Sequence, residues 1–366
     1  MEKHFELTEE KSALNSTLFR IKATIDIPEH EIRRGDLGGF VESLDNLAED
    51  YSFGGYGWVS NDGCVSGKAC VSGNAIVKDQ AIIQDNSQIY GNAIVRGNAQ
   101  ISGNAAIWGN AIIEGFGTVG GNARIYGNSL VLGHVYDDAS AFGNSEIFGM
   151  LCGFAKVFDN AKIVGSNTRV AEDAMVYGNA VISNGAGIFG EVRAYGNAII
   201  YGNVGIYDSV EVLDNSKVFG IDMPNDTNSG SVNIYNFAKI YGEAFINGRG
   251  GGEIDILDFT EVYDYACITS IYNFQDKKII ISGKAKIYGF SRIEDNVKIF
   301  DNARIFGDAK ILGNAEISGY TKVFGKACVR DNVKISGNVK VYENSVVSGE
   351  AILCQNEQIK GKTTYR

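Results

Sequence analysis

Valine or isoleucine recurs at every sixth position from Val59 through Val65, Val71, Val77 and Ile83 to Val131, thirteen positions without a slip. Two residues ahead of each stands a small side chain, as at Ala75, Ala81, Ser87 and Ala93. Side chains alternate across a strand, so the aliphatic residue and the small one share a side, and the residues flanking the aliphatic one face away. Gly-Asn pairs such as Gly97-Asn98 and Gly109-Asn110 supply left-handed backbone angles at low cost. Each hexad is therefore one short strand plus one corner. Three sides close a coil, and coils stacked ~4.8 Å apart pair every strand with those above and below. The pattern predicts an all-β fold, a single parallel β-helix.

A second unbroken run extends from Ile281 through Ile287 and Ile293 to Leu353 and Ile359, and the first run carried backwards reaches Phe53, Leu47 and Val41. Residues 1–40 lie outside this frame and are expected to cap the first coil, because an open end exposes unpaired backbone and apolar core. The expected organisation is a cap over 1–40, one continuous solenoid over 41–359 with roughly 17 coils, and a tail over 360–366. Insertions are expected near 219–233, 247–255 and 269–280.

The frame slips between the two runs. Val131 is followed by Val135, Ile147 by Leu151 and Ile163 by Val170; later gaps run from Val218 to Ile234, Ile246 to Ile256 and Ile268 to Ile281. All six follow the same one of the three strands, so one corner of the prism collects them. Repeat proteins often gather insertions on their working face. Pro224 and the polar residues Asn225 to Ser229 are expected to form the most mobile loop there.

Composition narrows the class. The chain has 366 residues, 46 glycines and only 2 prolines, which fits neither a disordered linker nor collagen. No apolar run is long enough to span a bilayer and no apolar signal core follows Met1, so the expected compartment is the cytoplasm with no membrane partner. The six cysteines, Cys64, Cys70, Cys152, Cys267, Cys328 and Cys354, all flank aliphatic positions and point outward, with no two on neighbouring coils of one side. Neither disulfides nor a zinc site is expected. Adjacent acids at Asp137-Asp138, and Asp255 with Asp258, read as solvated turn residues, and Gly248-Arg249-Gly250-Gly251-Gly252 as a flexible insertion with no helix behind it.

One outward column stands apart. After the aliphatic position on one strand of each coil come Tyr90, Trp108, Tyr126, Phe142, Phe158, Tyr177, Tyr195, Leu213, Tyr241, Tyr263, Tyr288, Phe306, Phe324 and Tyr342. Before it stand Arg124, Lys156, Arg193, Lys239, Lys286, Arg304, Lys322 and Lys340, against only Glu211 and Glu261. Three readings fit this stripe: an intramolecular ladder of rings, a surface for self-association, as a dimer first and a trimer next, or for a protein partner, and a track for a glycan or polyanion. A formal net charge of -11 opposes nonspecific nucleic-acid binding.

The hexads, of which Val95-Arg96-Gly97-Asn98-Ala99 is typical, resemble those of the hexapeptide-repeat acyltransferases and related proteins. The opening, with Phe19-Arg20-Ile21-Lys22-Ala23, Gly35-Asp36-Leu37-Gly38-Gly39-Phe40-Val41-Glu42 and Trp58-Val59, is similar to that of YdcK-like proteins of bacteria and prophages. The resemblance implies a left-handed coil. It also implies a histidine general base, with acetyl-CoA as donor, if acyl transfer occurs. His4 and His30 precede the coils, which leaves His134 as the candidate, with Phe148 or Met150 and then Arg169 expected beside it on the next coils. Fold does not imply function. The residues favour a non-catalytic scaffold or binding protein that needs no cofactor, with the CoA-dependent acyltransferase as the alternative.

Overall fold

A computed structural model of the protein describes residues 3–13, 15–48, 54–221, 230–248, 251–270, 278–361 and 364–365. Two compact units result, Met1–Ser166 and Asn167–Arg366. Both are parallel β-solenoids, with about 16 turns in all.

In the first unit, strands of two residues build three parallel sheets. The first face runs from Cys64–Val65 to Met150–Leu151, the second from Cys70–Val71 to Lys156–Val157, and the third from Trp58–Val59 to Lys162–Val164. Register follows the hexads: Ile94 pairs with Ile112 and Val95 with Ile113, one coil on. The aliphatic positions Val95, Ile101, Ile107 and Ile113 are wholly buried, as are the small residues Ala99, Ala105 and Ala111. Small side chains are needed there because three walls converge on a narrow axis.

The corners show why glycine is so frequent. Gly97 has φ 74°, and a Cβ on it would sit 2.9 Å from the Gly115 nitrogen of the next coil. Where Asp takes this position it does a second job: Asp79, at φ 61°, accepts from the Gly97 N–H at 3.0 Å. Asp137 likewise accepts from Gly153 at 3.0 Å, and Asp138 accepts from the Asn122 amide at 3.0 Å, which accounts for that acidic pair as turn residues. Along the corner that follows the second face, each Asn bonds its own kind in the next coil. Asn74, Asn92, Asn110, Asn128 and Asn144 each donate Nδ2 to the next Oδ1, ending on Asn160.

Three antiparallel strands, β1 (Phe5–Lys11), β2 (Phe19–Ala23) and β3 (Leu37–Val41), cap this unit. β3 then pairs in parallel with Cys64–Val65, so the cap grows directly out of the first face. Asn46 is the buried joint. Its Oδ1 accepts from Glu42 N and Ser43 N, and its Nδ2 donates to Gly67 O and Ala69 O.

Here the frame carried backwards needs correcting. Val41 pairs with Val65 and Leu47 with Val71, 24 residues apart instead of the 18 of the regular coils. Leu47 and Val41 therefore sit one face away from where an unbroken period puts them. An added hexad lies between Leu47 and Val59; Phe53 falls outside the described residues.

The second unit repeats the three sheets. They run from Arg169–Val170 to Ile352–Leu353, from Met175–Val176 to Gln358–Ile359, and from Val181–Ser183 to Thr364–Tyr365. The last strand pairs in parallel with Val346–Val347, so pairing continues past Ile359 into the segment expected as a tail.

Beyond the added hexad after Leu47, coil length changes at one kind of corner in each unit, the one leading from the third face to the first. In the first unit it is short, from Val131 to Val135 and from Ile147 to Leu151. In the second it is long, between Lys217–Phe219 and Val232–Ile234, Phe245–Asn247 and Glu253–Ile256, and Cys267–Thr269 and Lys278–Ile281. The loop around Pro224 lies outside the described residues, as do Arg249 and Gly250.

Candidate functional site

The aromatic column occupies the second face of each unit. In the first unit Tyr90, Trp108, Tyr126, Phe142 and Phe158 stack in sequence, with centroids 5.6, 4.4, 4.8 and 4.8 Å apart and planes within 7° of parallel. In the second unit Tyr177 stacks on Tyr195 at 4.8 Å. Leu213 interrupts the file, and Tyr241, Tyr263, Tyr288, Phe306, Phe324 and Tyr342 then continue at 4.7 to 5.1 Å. The strand spacing brings the rings to contact distance, so each ring closes its neighbour's face. Every ring in the column is half-buried, with an edge toward solvent.

In the second unit this environment favours the neutral phenol at Tyr195, Tyr241, Tyr263 and Tyr288. Burial, then a hydrogen bond from its hydroxyl to Glu261 Oε2 at 3.1 Å, pushes the Tyr241 pKa well above its ordinary value. Burial, then the neighbouring Tyr288 and Glu261, pushes Tyr263 up to about 12.

The neighbouring column carries charge. In the second unit Lys239 pairs with Glu211 and Lys286 with Glu261, both at 2.7 Å. Arg304, Lys322 and Lys340 follow in direct register. None of these three has an ion pair among the described residues.

His134 lies at the short corner of the first unit, in the strand His134–Val135 and not in a turn. Its register partners are Thr118 and Met150. Phe148 belongs to the third face, one step past Ile147, and Arg169 lies in the second unit, where its guanidinium sits 5.7 Å from the Phe189 ring centroid. Thr118 Oγ1 is 2.7 Å from both His134 Nδ1 and the Tyr136 hydroxyl. A hydroxyl has one proton, so the tautomer decides its use. With Nδ1 accepting from Thr118, Nε2 carries the hydrogen and is a donor. With Nδ1–H donating to Thr118, Nε2 presents a lone pair, the form a general base needs.

Two other expectations are modified. Asp255 is a buried strand residue, not a turn residue: it pairs with Lys278 at 2.6 Å and accepts from the Asn233 amide at 3.1 Å. All six cysteines are free, but Cys64 and Cys152 are buried although they point away from the coil axis. Cys64 is covered by Leu18 and Phe40 of the cap.

That covering leaves a cavity of 560 Å³, lined by Ser12, Arg20, Phe40, Cys64, Ile82 and Gln100 among others. Arg20 stacks over the Phe40 ring at 4.4 Å, with Nε on Glu10 and Nη1 on the Gly38 carbonyl, both at 2.8 Å. The hexad pattern gave no sign of this site, because half of its wall comes from residues before the first coil.

A family model for the YdcK β-solenoid repeat matches residues 87–100. The repeat and the solenoid fit a hexapeptide-repeat, YdcK-like family. The matched stretch runs from Ser87 to Gln100 and contains two consecutive YdcK-type hexads, Ile89-Tyr90-Gly91-Asn92-Ala93 and Val95-Arg96-Gly97-Asn98-Ala99. No curated protein matches the chain.

Proposed function

We propose that the protein is a non-catalytic β-solenoid scaffold whose aromatic and basic second face engages a partner, a second copy of the chain first among them. The observation that supports this reading is the unbroken file of stacked rings, with cations in register beside it, on one face over the coils from Lys286 to Tyr342, where regular hexads leave the approach flat. Half-buried ring edges give such a face an apolar strip, and the flanking cations can reach acids on a partner. A flat face that meets its own copy forms an isologous pair.

The test replaces Tyr288, Phe306 and Phe324 together with Ser. Mass by light scattering is compared with stability by denaturant unfolding, since the same rings also support one another. A concentration-dependent mass that falls to that of a monomer in the variant, with the fold retained, supports the reading. A wild-type mass that stays monomeric at every concentration rejects self-association.

The acyltransferase reading draws its support from the Thr118 contact, which can fix the His134 tautomer with Nε2 free. A thermal shift with acetyl-CoA, together with acyl transfer lost in His134→Ala, would replace the scaffold reading.

A further inference from the structure

We infer that the third face of the first unit is a separate self-association surface, on which two copies of the chain pair with antiparallel coil axes about the Arg96–Glu114 ion pair. This surface is distinct from the aromatic face and stands or falls apart from it.

A strand with one side in water alternates polar and apolar residues, whereas a strand covered on both sides reads as an apolar run. The third-face strands Ile76–Val77, Ile94–Val95, Ile112–Ile113 and Leu130–Val131 are of the second kind. The second residue of each is wholly buried in the core. The first residues point outward in direct register, Ile76 on Ile94, Ile94 on Ile112 and Ile112 on Leu130. On the same coils the first face carries Ile82, Gln100, Thr118 and His134 at that position, and the second Gln88, Ala106, Arg124 and Ser140. In the second unit the third face keeps the pattern for Val181 and Ile199 and then turns to Lys217. Trp58, at the head of the file beside Ile76, also points away from the coil axis and is wholly buried, while Ile76, Ile94, Ile112 and Leu130 stay partly open to solvent. An uncovered aliphatic file on a flat sheet marks a contact surface.

Charge selects what covers it. Beside the file stand Lys78, Arg96, Glu114 and Leu132. Arg96 donates Nε to Glu114 Oε2 at 2.7 Å, and the midpoint of this pair is also the midpoint of the file, between Ile94 and Ile112. A two-fold axis that runs along the strands through that point reverses the order of coils and keeps each column on itself. It lays Ile94 of one copy on Ile112 of the other, and Ile76 on Leu130. It also sets Arg96 of each copy against Glu114 of the other, which closes a ring of four alternating charges, and the apolar stem of Lys78 comes to lie over Leu132. A two-fold along the coil axis would instead set the aliphatic column on the charged one. A lipid surface would gain from the aliphatic file but not from a charge order that is its own complement. The strip is narrow, so the pairing is of the weak, concentration-dependent class.

The experiment takes as background the full chain with Tyr288, Phe306 and Phe324 replaced by Ser, so that the aromatic face contributes nothing. Light scattering over a concentration series is expected to show a monomer on dilution and a dimer at the top of the series. Ile94→Thr with Ile112→Thr keeps β-branched residues in the strands and should raise the dissociation constant at least about tenfold. Ile82→Thr, on the first face, should leave it unchanged. The deciding arm mixes two variants. Arg96→Glu leaves two acids at the centre and Glu114→Arg two arginines, so each alone is expected to stay monomeric and the mixture to dimerise. Mixing does not mend the like-charged pair inside either chain, so recovered mass comes only from contact across copies. With the aromatic rings intact, the same mixture must likewise exceed either variant alone in mass. A background chain that is monomeric at every concentration, a mixture no heavier than its components, or equal weakening by Ile82→Thr overturns the inference. So does flotation with phosphatidylcholine vesicles that the Ile94 and Ile112 substitutions abolish while no dimer forms. A wild-type mass that the serine substitutions leave unmoved and the third-face substitutions lower removes self-association from the aromatic face and keeps it here.

Discussion

Phe306 lies face to face with Phe324 at 4.9 Å with planes 2° apart, and its other face meets Tyr288 at the same distance. A ring inside the file thus makes two stacks, while Tyr342 at the end of the stacked file makes one. Each stack contributes ~0.5–1.5 kcal/mol beyond area burial. Phe306→Leu is expected to destabilise the chain by about twice as much as Tyr342→Leu, about 1–3 kcal/mol against about 0.5–1.5. Urea unfolding of the two variants checks the ratio; equal losses would mean that stacking adds nothing.

Asn46 tests the joint between cap and coils. Asn46→Ala strands the Ser43 N–H and two carbonyls at a buried site, while the Glu42 N–H keeps its bond to the Val65 carbonyl, at about 1–3 kcal/mol for each stranded group that water does not reach. A loss of at least about 3 kcal/mol is expected, with early hydrogen exchange in β1 to β3. Exchange that is unchanged there would show that the cap holds without this amide.

A third prediction compares neighbours in one corner. Asn110→Ala breaks two amide bonds, Asn92 to Asn110 at 3.1 Å and Asn110 to Asn128 at 2.9 Å, worth about 0.5–1.5 kcal/mol each. Gly109→Ala puts a Cβ 3.0 Å from the Gly127 nitrogen at φ 73°, so it strains the backbone and crowds the next coil. The glycine substitution should cost more, as read from the unfolding midpoints of the two variants.

His30 supplies a pH dependence. Burial lowers its pKa below 6.5, against a weaker opposing effect of its hydrogen bond to the Tyr56 carbonyl. The unfolded chain therefore takes up the proton first as pH falls. Its stabilising contribution is complete above about pH 6.5 and is lost as pH drops from there through the lower folded value. Unfolding midpoints between pH 8 and pH 5 should fall more steeply for the wild type than for His30→Gln.

The core was legible because burial in this fold has one period. Val95, Ile101 and Ile107 are buried where the hexads put them, and the short corners after Val131 and Ile147 and the long ones after Val218, Ile246 and Ile268 share the corner the spacing indicated. The aromatic column was equally plain, although the sequence left open whether the rings meet a partner or one another, and stacking at the strand spacing supplies the second. What escaped has a physical cause. A six-residue period is blind to an insertion of six, which is why Val41 and Leu47 were placed one face away. Burial of Cys64, and the cavity beside it, depends on Leu18 and Phe40 folding back from the cap, and no local pattern encodes that return. Asp255 resembled a turn acid until Lys278, from the following coil, came to lie against it.

The asparagine file of the first unit bears on how such a chain changes its length. Tyr90-Gly91-Asn92 recurs as Trp108-Gly109-Asn110 and as Tyr126-Gly127-Asn128, each separated by one full coil. Excising residues 92–109 joins Gly91 to Asn110, restores the corner sequence at the splice, sets Tyr90 against Tyr126, and gives Asn74 another asparagine, Asn110, in place of Asn92. Genetic gain or loss of whole coils is thus nearly silent for this fold, whereas a deletion of one residue inside a strand puts its aliphatic residue on the wrong side unless the next corner takes up the change.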